Sequence, residues 1–442
     1  MSGVSTNPRI RRLFSHALGC KVSRVDAGAT ALPFAHADAP AAADVLLVHG
    51  CAVTNRALRD GRRVVRALRR ANPDATLVVS GCLAEADGRR LAAMPEVDLV
   101  VPLGARSALP ALLDARDAGL LAGKIARAEN AREAALFAMP VGSRTASALL
   151  DPDRTRAFLK IQDGCRRRCA FCVVPSLRGE ERSAGREDVA DAVRRLGEAG
   201  VPEVVLTGVH LAAFGAAGRG GLAALLDDLE RDAPRCRVRL SSLEPMEAGE
   251  EIVDRVASSR VVVPHLHLPL QSGSLAVLRR MRRGIVPERY RALVERAARA
   301  NPRLHLATDL IAGFPGETDA DFEETRRFVA DLPFASLHVF PFSPRCGTDA
   351  AAWHRESPVL SGVTTARTRA LRRLGEEKRR AFASRADGTE ADVVVLRGGR
   401  GLTDHYLEVG LRLPPADAVP GRRSVLRLLA SGAGGSLEAH PC

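Results

Sequence analysis

Three cysteines, Cys165, Cys169 and Cys172, stand with three residues between the first pair and two between the second. Thiolates hold iron–sulfur clusters, and a four-iron cube ordinarily takes about four of them. Three close thiolates leave one iron without a protein ligand, free to bind a small molecule and pass it an electron. A structural zinc knuckle is the competing reading. Zinc ordinarily takes about four ligands in two separated pairs, and no second pair lies nearby in the chain. The spacing and its flanks favour the cluster.

A second set is spread out. Cys20, Cys51 and Cys82 are 31 residues apart, twice, and each follows a glycine. Apolar runs rich in β-formers lead into them: Leu13 to Gly19, Val45 to Gly50 and Thr76 to Gly81. About 30 residues is the length of one βαβ unit. Arg56 to Ala71 reads as an intervening helix, stopped by Asn72-Pro73-Asp74. The expectation is an open parallel sheet with each cysteine at the carboxyl end of a strand, where such sheets bind ligands. Glycine lets the backbones approach. These cysteines either ligate a second cluster or pack as small core hydrophobes. Their shared structural address favours ligation.

The elements that position the first set run from Arg154 to about Pro344. Strand-like runs begin at Phe158, Glu203, Arg237, His265, Leu304 and Ser336, and helix-like stretches separate most of them. Polar or glycine-rich segments follow the strands. Six strands with helical crossovers imply a curved parallel sheet whose strand ends share one face. His210, His265, His267 and His338 lie in or just after these strands and read as packed rather than metal-ligating. Arg166 to Arg168, Arg178, Arg182 and Arg186 form a basic collar, read as solvated surface or as phosphate contacts. Leu103 to Leu150 reads as a linker with a short helix or two. Cys236, Cys346 and Cys442 have no neighbours at ligand spacing.

After a helix at Thr365 to Ala383 the texture changes. Asp392 to Leu396, Tyr406 to Leu411 and Ser424 to Leu429 read as short strands. Turns are read at Gly398 to Gly401 and Pro420 to Arg422. This predicts a small β-barrel with basic residues Arg397, Arg400, Arg412, Arg422, Arg423 and Arg427 along it. Such a module either binds nucleic acid or is an inert cap.

The formal charge is +13, and only four of the 65 basic residues are lysines. That balance favours a polyanionic partner, RNA first. No apolar run of about 18 residues predicts a membrane span. Residues 1–12 have no apolar core of a secretory signal. Nine cysteines without a disulfide-like framework suit a reducing, cytoplasmic compartment.

The triad with Phe171 just before its last cysteine resembles the radical S-adenosylmethionine (SAM) enzymes. That resemblance implies that Cys165, Cys169 and Cys172 hold a catalytic [4Fe-4S] cluster whose open iron binds SAM. Phe171, Gly208, Gly313 and Glu317 would then lie near SAM. Leu18-Gly19-Cys20-Lys21-Val22, Gly50-Cys51-Ala52-Val53-Thr54 and Gly81-Cys82-Leu83-Ala84 resemble the N-terminal domain of the methylthiotransferases, which carries an auxiliary [4Fe-4S] cluster. Its second motif usually reads Asn-Thr-Cys and here reads His49-Gly50-Cys51.

The resemblance implies an α/β chain in three parts. They are an open parallel sheet (9–125), a partial (β/α)6 radical SAM barrel (150–383) and a β-barrel like the TRAM domain (384–442). The strings Phe158 to Gly164, Leu206 to His210, Leu268 to Gly273 and His338 to Pro344 are similar to one branch of the family. That branch adds a methylthio group to C2 of N6-threonylcarbamoyladenosine at position 37 of tRNA. Expected partners are a tRNA anticodon stem-loop and an electron donor such as flavodoxin or ferredoxin. The alternatives are methylthiolation of a ribosomal-protein aspartate or of isopentenyl-adenosine in tRNA, and a non-catalytic iron–sulfur RNA-binding protein.

Overall fold

The computed structural model describes residues 10–121, 123–126, 155–215, 221–414, 416–431 and 436–441. The chain divides into two compact units, Met1–Ala138 and Met139–Cys442.

The first unit is a parallel sheet of five strands in the order β2-β1-β3-β4-β5. They are β1 (Arg12–Ala17), β2 (Ala35–His36), β3 (Val45–Gly50), β4 (Thr76–Gly81) and β5 (Leu99–Val101). The three expected strands are its centre. β2 and β5 were missed, because two or three residues carry no readable periodicity. Leu46, Val48, Leu77 and Val79 pack into one core, and Val45, Leu47 and Val78 into another. Burial on both faces explains why the central strands read as unbroken apolar runs. The helix Asn55–Ala71 starts where Thr54 accepts from the Ala57 N–H at 3.1 Å. It stops at Asn72, whose amide donates to the carbonyls of Pro40 (2.9 Å) and Ala43 (3.0 Å). A 3-10 turn, Leu103–Ala108, and a helix, Leu109–Asp117, follow β5. Of the expected linker, 103–150, residues 122 and 127–150 lie outside the described residues, as does Cys442.

The second unit carries six parallel strands: β6 (Ala157–Asp163), β8 (Glu203–Gly208), β9 (Arg237–Leu240), β10 (His265–His267), β11 (His305–Ala312) and β12 (Ser336–Pro341). A short antiparallel β7 (Arg182–Ser183) flanks β6. β6, β8 and β9 are neighbours in one sheet, and β10, β11 and β12 in another. Backbone bonds around Val238 and from the Leu243 N–H to the His267 carbonyl (2.9 Å) continue the run from β9 to β10. Parallel strands put all six carboxyl ends, and the cysteine loop after β6, on one side.

The unit ends in a closed five-stranded barrel of β13 (Glu390–Leu396), β14 (Arg400–Thr403), β15 (Glu408–Leu411), β16 (Arg423–Ser431) and β17 (Ser436–Pro441). β14 and β17 went unread. Arg400 opens β14 rather than closing a turn, and only Gly398 and Gly399 have the positive φ of one. The barrel core includes Phe382, Ala383 and Ala386 of the preceding helix Ser361–Ala386. No helix among the described residues is long and apolar enough to cross a membrane.

Candidate metal centres

The first centre follows β6. Gly164 has φ +76°, and a side chain there would strike the Glu180 carbonyl. Cys165 is fixed by its N–H on the Gly179 carbonyl at 3.1 Å. Five residues on, the loop bonds through Ala170 to the Met281 carbonyl (3.0 Å), and Cys172 N–H closes a turn on Cys169 (3.0 Å). These bonds turn Cys165, Cys169, Phe171 and Cys172 into one cavity of about 190 Å³. Arg167, His210, Ser242, Glu244, Gln271 and Arg283 share its wall.

The wall is charged in a definite pattern. Arg283 donates to the Cys169 sulfur at 3.7 Å, to the Pro269 carbonyl at 2.9 Å, and pairs with Glu244 at 2.6 Å. Arg167 pairs with Glu247 at 2.5 Å and Glu244 at 3.6 Å, and donates to the Arg283 carbonyl. His210 stands between Glu181 (2.8 Å) and Glu247 (2.7 Å), with a ligand atom within 4.8 Å of the Cys165 sulfur. Burial opposes its charge, but bonds to Cys165, Glu247 and Glu181 hold its pKa up at about 10. Gln162 braces the arrangement, donating to the Gly164 carbonyl at 2.9 Å and accepting the His210 N–H at 2.6 Å. Burial pushes the Cys172 thiol up to about 11, and the neighbouring thiols add to it. A bound cation displaces such protons. Three sulfurs on one cavity with arginine donors beside them fit a three-thiolate cluster.

The second centre lies in the first unit. Ala17 pairs with His49 across β1 and β3, and Gly50 pairs with Gly81 across β3 and β4. Cys51 and Cys82 therefore leave adjacent strands, spaced by roughly 5 Å, at the same level. Cys20 leaves the next strand over. The packing is close: a Cβ on Gly19 would collide with the Cys51 Cβ and sit 3.3 Å from its sulfur. A Cβ on Gly81 would come within 2.8 Å of the His49 ring. His49, one of the two residues that depart from Asn-Thr-Cys, is fully buried against Gly81. Cys20 is the N-cap of the helix Lys21–Ala31, and Cys82 begins the helix Cys82–Ala92. Helix N-termini stabilise thiolates. Val53 N–H reaches the Cys51 sulfur at 3.5 Å. Adjacent origins and helix dipoles fit a second shared cluster.

The other expected contacts lie elsewhere. Gly208, Gly313 and Glu317 are not among the residues lining the cysteine cavity. Gly208 makes room for Gln162, whose Cβ lies 2.9 Å from where its own would sit. Gly313 N–H donates to the Glu317 carboxylate at 2.8 Å, and Arg367 pairs with that carboxylate at 2.7 Å. Of the collar, Arg178 is buried on Asp163 at 2.8 Å rather than solvated. The packed reading holds for His265, which is buried and stacked on His305 at 5.4 Å. His210 is buried too, though between carboxylates, whereas His338 is exposed, and it and His267 both bond Asp309, at 3.2 and 2.9 Å. Sequence reading missed Glu181, Glu244, Glu247 and Arg283. Their only signal was a carboxylate or arginine beside a strand end, which is common.

Residues 159–329 match the Radical SAM superfamily, and residues 12–102 match the Uncharacterized protein family UPF0004. Threonylcarbamoyladenosine tRNA methylthiotransferase MtaB of Bacillus subtilis (strain 168) is 34% identical over 411 residues, covering 89% of each chain. A tRNA-2-methylthio-N(6)-dimethylallyladenosine synthase of Cereibacter sphaeroides (strain ATCC 17029 / ATH 2.4.9) is 34% identical over 413 residues, covering 89% of this chain and 91% of that one. Among solved structures, the radical S-adenosylmethionine methyltransferase TsrM of Kitasatospora setae superposes with a TM-score of 0.56 at 15% identity. It covers 77% of this chain and 76% of its own.

Proposed function

This chain belongs to the radical SAM methylthiotransferase family, and from that premise we propose that it adds a methylthio group to C2 of N6-threonylcarbamoyladenosine at position 37 of tRNA. The family uses SAM and two [4Fe-4S] clusters. We assign the catalytic cluster to Cys165, Cys169 and Cys172, and the auxiliary cluster to Cys20, Cys51 and Cys82. When bound, the clusters supply the electron that splits SAM and the sulfur that becomes the methylthio group. An aromatic C–H bond resists acid–base attack, so the cofactors carry the reactivity and the chain positions and shields them.

The residues at hand divide that work. Gln162 and Gly164 hold the loop in shape. Arg283, restrained by Glu244, keeps a cationic donor on the Cys169 sulfur. Arg167 ties the loop to Glu247, and His210 holds a proton between two carboxylates beside Cys165. Phe171 gives the cavity an apolar wall. The external electron donor is of the flavodoxin or ferredoxin kind, and the anticodon stem-loop presents the base.

The observation carrying the reading is the two cysteine triads, each gathered at carboxyl ends of parallel strands. Equal identity to a dimethylallyladenosine synthase keeps that base as the second reading. Nucleoside mass spectrometry of tRNA from a deletion strain decides. Loss of the methylthio group from threonylcarbamoyladenosine is expected, and loss from dimethylallyladenosine instead would overturn the choice.

A further inference from the structure

The edge strand β12 presents two side chains that the mechanism above does not use. Leu337 faces the helix Ser361–Ala386, where a Cβ on Gly375 would lie 3.1 Å from it. Side chains alternate along a strand, so His338 and Phe340 face the opposite way. Both are about half exposed, at 47%. Phe340 is the one exposed aromatic ring among the described residues.

His338 is held from behind. Asp309 lies directly across from it on β11 and takes its Nδ1 at 3.2 Å. The same carboxylate oxygen takes His267 Nε2 at 2.9 Å, and His267 Nδ1 meets Ser242 Oγ at 2.6 Å. Hydrogen bonds to both imidazoles keep Asp309 ionised, well below the usual carboxylate range, against the cost of its burial. The two rings meet edge to face at 5.0 Å. Ser242 also lines the cysteine cavity. A polar chain thus runs from the wall of that cavity to an exposed imidazole whose Nε2 makes no hydrogen bond among the described residues. Beside it, two positions along the strand, stands a bare aromatic face.

Nδ1 donates to the ionised Asp309 and leaves Nε2 as an acceptor, and a flat ring beside an oriented acceptor suits a planar heterocycle bearing a donor arm. Aromatic side chains stack on unpaired bases regardless of identity, and a positioned imidazole discriminates by what hangs from the base. We propose that Phe340 stacks on the target adenine while His338 Nε2 accepts a hydrogen bond from the hydroxyl of its N6 arm. Asp309 and His267 are positioning residues that fix the ring. This deepens the substrate reading above and rests on it.

The test uses the full chain with both clusters reconstituted anaerobically. Its probes are anticodon stem-loop RNAs carrying threonylcarbamoyladenosine, dimethylallyladenosine or plain adenosine at position 37, read by fluorescence anisotropy. Wild type should prefer the threonylcarbamoyl loop over the plain one about tenfold, as one well-aligned hydrogen bond allows. His338→Ala should bring that ratio to about one, and Asp309→Asn should lower it. His338→Gln, whose side-chain oxygen keeps an acceptor, should recover part of it. Phe340→Leu should weaken all three loops about tenfold or more. Equal iron per chain and equal melting temperature show that each variant folds. An unchanged ratio in His338→Ala, or unaltered binding in Phe340→Leu, would overturn the proposal. Failure of the substrate reading shows separately: wild type then converts only the dimethylallyl loop.

Discussion

Glu203 grips Arg239 through both carboxylate oxygens, Nε to Oε1 at 2.9 Å and Nη2 to Oε2 at 2.8 Å, with neither side chain more than 1% exposed. Arg237 joins them at 2.7 Å. The remaining guanidinium N–H groups reach the barrel: Arg237 donates to the Leu402 carbonyl at 2.9 Å and Arg239 to the Asp404 carbonyl at 3.1 Å. Arg239 also lies 4.7 Å over the Tyr406 ring. Burial opposes ionisation of Glu203, but the two arginines outweigh it and keep the carboxyl well below its usual range. One buried acid on β8 therefore docks the terminal β-barrel.

Removing that acid should be severe. Glu203→Gln leaves Arg239 buried without a counter-charge and Arg237 with only the more distant Asp392 at 3.8 Å, a loss of roughly 3–5 kcal/mol. Urea unfolding should show a lower midpoint, and limited proteolysis should release the barrel earlier than in wild type. A change under about 1 kcal/mol would mean that the arginine–carbonyl bonds suffice alone.

Acid should weaken the same region through His305. It is 3% exposed, and burial first, then the charges of Arg239 and His405, press its pKa down to about 3. In the unfolded chain it titrates near about 6.5. Between those values the unfolded state binds a proton that the folded state refuses. Stability from this residue is therefore whole above about pH 6.5 and is lost as pH falls towards about 3, by up to about 1.4 kcal/mol per unit. From pH 7 to 5 wild type should lose about 2 kcal/mol more than His305→Phe. Parallel urea curves for the two would refute the assignment.

Two glycines should control the two clusters separately. Gly164→Ala drives a methyl into the Glu180 carbonyl, and Gly81→Ala drives one into the Gly50 carbonyl and the His49 ring. Both positions also have positive φ, +76° and +83°, so each change adds about 1–3 kcal/mol of local strain. Iron should fall from about eight to about four per chain in each. Only Gly164→Ala should stop reductive cleavage of SAM. Full iron content in either variant would show that the loops tolerate the methyl.

The cysteines themselves divide the labour. Cys165→Ala should abolish 5′-deoxyadenosine formation with dithionite. Cys51→Ala should spare it and stop methylthio transfer. Identical behaviour of the two variants would remove the separation of roles.

Much of this architecture was legible in the chain. The β3 and β4 runs are apolar on both faces because both faces are buried, and their Gly-Cys endings mark the strand ends. The strand-like run beginning at Arg237 is a strand from that residue. What escaped was short or conditional: β2 and β5 are too brief to show a period, and β14 and β17 alternate too weakly to stand apart from turns. His267 and His338 looked like packed residues because their shared partner, Asp309, is 42 and 29 positions away from them.

The sequence by itself determined the chemistry on offer: which residues are thiols, how they are spaced, and that each sits where a strand gives way to a loop. Those are local facts, since backbone propensity and side-chain period act over a few residues. Only the tertiary structure decided which charges those thiols meet. Arg283 reaches Cys169 across 114 positions, and His210 meets Glu181 and Glu247 from a different loop. Parallel strands bring such residues together only through long crossovers, and no local pattern records where a crossover returns.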